Sequence, residues 1–115
     1  MNRQRRNVLH AVLDGLARLR DPAEKAEALT ILQKAQSDVQ RCADEEEEAL
    51  ENRPASFQWS AVNDVMTDNV SDLNDASGEL EVLIDKCQSA DKFSYKSVKD
   101  DVIKIVNTIK QTIHR

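Results

Sequence analysis

At 115 residues, with two Gly, two Pro and 3% aromatic content, the chain is one domain's length and nearly devoid of turn formers, which disfavours a sheet and favours long helices with short connections. The net charge of -5 is unevenly spread: residues 1–20 carry five Arg against Asp14, residues 92–115 carry six Lys and Arg against Asp100 and Asp101, and the middle carries five basic against eighteen acidic groups. Both ends are therefore basic and the centre strongly acidic, and no run approaches the roughly 20 apolar residues of a membrane span.

The first predicted helix covers Arg3 to Arg20, with Val8, Leu9, Val12, Leu13 and Leu16 at the spacing of one apolar face. Its Arg-rich, acid-poor start is shared by organellar presequences, but His10, Asp14 and Arg18 interrupt any apolar signal region. With no secretory signal, Cys42 and Cys87 read as reduced, buried thiols of a cytoplasmic protein. "LRDPAEKAEAL" then marks a boundary: Asp21 can cap the next helix, Pro22 suits the first helical position and Glu24 completes a capping box.

The second helix is predicted from Pro22 to Asn52, with Leu29, Leu32, Val39, Ala43 and Leu50 as a near-heptad seam. It ends at "NRPAS", because the residue before Pro54 avoids helical geometry and Asn52 suits a left-handed cap. A third helix, beginning at Ser56 or Ser60 and covering about 57–89, carries Val62, Met66, Leu73, Leu80, Ile84 and Cys87 on one side. The fourth covers 94–114: Ser94 is the candidate cap, Phe93 and Val98 stand as a hydrophobic staple, and Val98, Val102, Ile105, Val106, Ile109 and Ile113 form its apolar face.

Together these predict an all-α, antiparallel bundle of four helices in a single domain, whose long central hairpin (22–52 and 57–89) projects beyond the shorter flanking helices (3–20 and 94–114). Apolar seam exposed on that projection would need a cover, so a homodimer is expected.

Asp64, Asp68, Asp72, Asp75 and Glu79 fall together on the third helix, about 130° from its apolar arc at 100° per residue. The run "DEEEEALE" places Glu45, Glu46, Glu47 and Glu48 around every side of the second helix, close to a C-terminus where the dipole prefers cations. A solvated, frayed tip is the plain reading; the sharper one is that both groups form an acidic surface for a basic protein. Asn69 alone interrupts the apolar arc, which assigns it to fixing register or oligomeric state; on that reading Asn69→Leu should raise stability.

"FQWSAVNDVMTDNVSDL", with Trp59, Val62 and Val65 followed by a polar stretch at Thr67 to Asn69, resembles the W-x-x-V-x-x-L first helix and the turn of a helix-turn-helix module, with Val65 standing where that pattern has Leu, and "LARLRDPAEKAEALTILQKAQSDVQ" resembles the helices preceding it in small bacterial regulators. The resemblance covers about half the chain and implies DNA binding. Yet the would-be recognition helix offers Asp68, Asp72, Asp75 and Glu79 where phosphates call for cations, so nucleic acid is not the expected partner.

Catalytic and metal signatures are missing. Neither His10 nor His114 has an acidic residue three positions before it, the two cysteines form no C-x-x-C, and no phosphate loop or nucleophile elbow occurs, so no enzyme and no cofactor are expected. The leading expectation is a non-enzymatic module whose acidic helical surface engages a basic partner protein, as inhibitors, immunity proteins or nucleic-acid mimics do. The alternatives are a self-assembling helical module, in which acidic middle and basic ends complement one another, and a helix-turn-helix-derived regulator using Arg3, Arg5 and Arg6.

Overall fold

The computed structural model describes residues 1–21, 24–57 and 60–115, with the backbone alone for Phe57. The described residues form four α-helices and one short 3-10 turn, with no strand: α1 Arg3–Leu16, α2 Lys25–Glu51, the 3-10 turn Ala55–Phe57, α3 Ala61–Ser89 and α4 Tyr95–His114. Helices α2 and α3 pack along each other as an antiparallel hairpin, α1 lies on α2, α4 lies on α3, and α1 touches α4 to close the ring. The result is an elongated bundle of 54 × 22 × 20 Å.

The predicted apolar spacings form the core. Leu9, Val12 and Leu16 of α1, Leu32, Val39, Cys42 and Ala43 of α2, Met66, Leu73, Leu80 and Cys87 of α3, and Val98, Val102, Ile105, Ile109 and Ile113 of α4 are all buried. Val62, expected on the apolar side of α3, is instead 51% exposed, because it sits in the first turn, beyond the reach of α4. Phe93 and Val98, the predicted staple, are both buried.

Boundaries differ where the core overrides local signals. Helix α1 stops at Leu16, four residues early, because Arg18 and Leu19 donate backbone hydrogen bonds to Gly15 and Leu16 in a tightened turn that carries Leu19 into the core. The predicted first helical position of α2, Pro22, lies outside the described residues. Glu24 is the observed N-cap of α2 and makes no side-chain cap hydrogen bond. Asn52 ends α2 in right-handed geometry, with φ -85°, rather than in the expected left-handed cap.

Asp21 caps a different helix from the one expected. Its carboxylate accepts from the backbone N–H groups of Tyr95 at 2.8 Å and Lys96 at 3.1 Å, satisfying the first donors of α4. Ser94, the candidate cap, occupies the position but contributes no side-chain bond. Nearby, Lys25 Nζ donates to the carbonyls of Gln88 at 2.9 Å and Ala90 at 2.8 Å, closing the C-terminal end of α3. One connection thus latches two helix ends far away in sequence.

Helix α3 begins at Ala61, where the Ser60 hydroxyl accepts from the N–H of Asn63 at 3.3 Å, and it continues unbroken through Thr67, Asp68 and Asn69. The turn that the helix-turn-helix resemblance requires is therefore not formed; a single amphipathic face held across the segment favours one helix over two. No helix among the described residues is long and apolar enough to cross a membrane.

Candidate functional site

The register of the α2–α3 hairpin is set by a row of amide and hydroxyl contacts. Gln36 Nε2 donates to Ser77 Oγ at 3.0 Å and to Glu81 at 3.1 Å, Gln40 Nε2 donates to Asn74 Oδ1 at 3.2 Å, and Ser77 Oγ donates to Gln40 Oε1 at 2.8 Å. Further up, Asn69 Nδ2 donates to Glu46 Oε2 at 2.8 Å. In this register residue 47 lies across from about 68, and residue 51 from about 64. The acidic end of α2 and the acidic start of α3 consequently share one end of the molecule.

Glu46 does not belong to the surface expected for it. Its side chain is fully buried, and its oxygens meet Arg5 Nη2 at 3.1 Å, Asn69 Nδ2 at 2.8 Å and the Met1 ammonium at 3.6 Å. The reason is helical geometry: residues 35, 39, 42 and 46 recur at spacings of four, three and four, so Glu46 continues the stripe of Ala35, Val39 and Cys42 into the core. A buried carboxylate is held there only if it is paired and hydrogen-bonded, and here it is both.

Asn69, 1% exposed, is bonded entirely within the chain. Its Nδ2 serves Glu46 and its Oδ1 accepts from Arg115 Nη1 at 3.2 Å, while Arg115 Nη2 also pairs with Asp72. Asn69 thereby links α2, α3 and the end of α4 within one chain. Arg5, expected only as a DNA contact in the regulator alternative, and Arg115 complete this node. The available signal was the buried amide itself: an Asn in an apolar arc needs both an acceptor and a donor.

The other expected site residues divide into two groups. Asp72 is taken up by Arg115, and Glu79 pairs with Lys104 at 3.1 Å, so both are partly neutralised within the chain. Glu45 is half-buried, whereas Glu47, Glu48, Asp64, Asp68 and Asp75 are exposed and have no ion pair among the described residues. Asp64, Asp68 and Asp75 share one stripe of α3, at spacings of four and seven.

Both thiols are free and buried. Burial, with Glu45 next in effect, pushes the Cys42 thiol up to about 11, and its Sγ lies 3.8 Å from the Arg5 carbonyl oxygen. Burial raises Cys87 as well. Thiols held protonated in this way are poor nucleophiles. Among the described residues no three His, Cys, Asp or Glu side chains converge in a metal-holding arrangement.

Compared with protein-family models, with curated proteins and with solved structures, the chain matches none.

Proposed function

We propose that the protein is a non-enzymatic binding module whose projecting α2–α3 end engages a basic partner protein. The observation that carries this reading is the set of exposed carboxylates left over once in-chain pairing is counted: Glu47, Glu48, Asp64 and Asp68 at the hairpin end, with Asp75 further along α3.

The carboxylates of α2 are costly where they stand, whereas Asp64 in the first turn of α3 is favoured by its helix dipole. The last turn of α2 contains no basic residue, so Glu47, Glu48 and Glu51 face the negative end of the helix dipole. Asp64 and Asp68 are four apart on one helix, as are Glu47 and Glu51, and each like-charged pair is mildly repulsive. A cationic partner removes both penalties on binding, and the same field steers its approach. Because α1 and α4 stop short of this end, a partner reaches it without displacing any helix.

The test is capture from the native host with the intact chain as bait, beside the triple variant Glu47→Lys, Asp64→Lys, Asp68→Lys. All three positions are exposed, so the fold should persist. The expected result is a partner with a basic surface, retained at about 50 mM salt, released by about 500 mM, and lost at least tenfold with the variant. A partner held equally by both baits at both salt concentrations would overturn the reading.

A further inference from the structure

Cations without an ion pair among the described residues lie along α1 and α4. In α1, Arg6, His10, Leu13 and Ala17 recur at spacings of four, three and four, which makes one stripe, and in α4 Lys99, Ile103, Val106 and Lys110 repeat that spacing. The two helices run antiparallel: Arg5 near the start of α1 and Arg115 after the end of α4 meet at the Glu46–Asn69 node, while Asp21, beyond α1, caps the start of α4. Between them lies an open groove of about 340 Å³, with Leu13, Leu16, Val102 and Val106 among its apolar lining and Ile103 and Lys110 at its edge.

This groove combines apolar and cationic groups. Ile103 is 43% exposed, and Leu13, Tyr95 and Val106 are half-buried, so the groove retains apolar area in contact with water. Arg6, Lys99 and Lys110 have no ion pair among the described residues, whereas Lys86 of α3 and Lys104 of α4 pair across the α3–α4 contact with Asp101 and Glu79. The same molecule carries the complement at its projecting end: unpaired Glu47, Glu48, Asp64 and Asp68, together with half-buried Leu50 and Val65 and 51% exposed Val62.

We infer that the groove between α1 and α4 receives the acidic α2–α3 end of a second copy of the chain. The inference rests on the binding role proposed for that end and names its basic partner. Charge and hydrophobicity match together: carboxylates meet Arg6, Lys99 and Lys110, while Val62 and Leu50 cover Leu13, Ile103 and Val106. A nucleic acid would meet the cations and leave the apolar floor unused. A bilayer would contact the rims of a groove between two helices rather than its floor. Because end and groove are different surfaces, the contact is heterologous and adds copies head to tail.

Sedimentation of the intact chain tests this, beside a groove variant, Ile103→Glu, and an end variant, Asp64→Lys with Asp68→Lys, each checked for helicity and cooperative melting. All three positions are exposed. The wild-type chain should sediment above monomer mass at low salt, increasingly with concentration, and as a monomer at high salt. Each variant alone should be at least tenfold weaker in self-association. An equimolar mixture of the two should form a one-to-one pair, because each supplies the surface the other lacks.

A wild-type chain that stays monomeric at every concentration overturns the inference; if the acidic end still captures a basic host protein, the binding role stands without it. Self-association that survives the end variant but not the groove variant also overturns it, since another occupant then fills the groove. Self-association that survives both, with capture also insensitive to charge reversal, removes both readings. A monomer that binds vesicles of anionic lipid through Lys99 and Lys110 reassigns the groove to a membrane surface.

Discussion

Glu46 and Asn69 show how far one residue's role depends on what faces it. Spacing alone predicts that Asn69→Leu stabilises, since an amide in an apolar arc is a cost. In the bundle that amide bridges a buried carboxylate and Arg115, so the substitution strands an acceptor on Glu46 and a donor on Arg115. The expected effect in urea unfolding is a loss of about 1–3 kcal/mol; a gain would mean the node contributes nothing. Glu46→Ala should cost more, about 3–5 kcal/mol, because Arg5 and Asn69 both lose their anion in the interior.

Cys42 supplies a pH signature at the same scale. The unfolded thiol ionises near 9 and the folded one near 11, so the folded state keeps its proton longer. Its contribution to stability is whole below pH 9 and is lost as pH rises from 9 to 11, by about 2–3 kcal/mol for a shift of this size. The slope of unfolding free energy against pH in that window should flatten in Cys42→Ala relative to wild type. An unchanged slope would show that the buried thiol does not titrate in this way.

Among the elements, the helix ends are the informative places. Asp21 and Lys25 lie next to the start of α2, yet they serve the N-terminal end of α4 and the C-terminal end of α3. Asp21→Ala should cost about 1 kcal/mol, the usual value of an N-cap, and hydrogen exchange should quicken at Tyr95 and Lys96 rather than in α2. Faster exchange at the start of α2 would return Asp21 to the local capping box that "DPAE" suggests. Within α3, Gly78 is exposed, and an added Cβ meets no atom within 4 Å. Gly78→Ala should therefore stabilise the chain by about 0.5–1 kcal/mol in a thermal melt.

The whole molecule is organised by charge as much as by its core. Cations predominate on α1 and α4, and the unpaired carboxylates Glu47, Glu48, Asp64 and Asp68 lie together at the end of the α2–α3 hairpin. Because Glu48 faces the negative end of the α2 dipole, where no basic residue stands, Glu48→Lys should raise stability by about 0.3–1 kcal/mol while weakening capture of a basic partner, the opposite signs expected of a group kept for binding. Thermal melts and pull-downs on the same variant decide it; a stability gain with undiminished capture would detach Glu48 from the binding surface.

The helical class, the four elements, the continuity of α3 and most of the core could be read from the chain, because they follow from local spacing: apolar residues every three or four positions define one face whatever lies opposite. Leu9, Leu32, Leu73 and Ile105 are buried for that reason. Tertiary structure alone decided which partner each buried polar group takes. Glu46 continues the apolar stripe of α2, but only the approach of α1 and α3 supplies the Arg5 and Asn69 that make its burial tolerable. Asp72 and Glu79 look like surface charges until Arg115 and Lys104 arrive from α4. Pairing of charges depends on distances between segments far apart in the chain, and spacing within one helix carries no information about those distances.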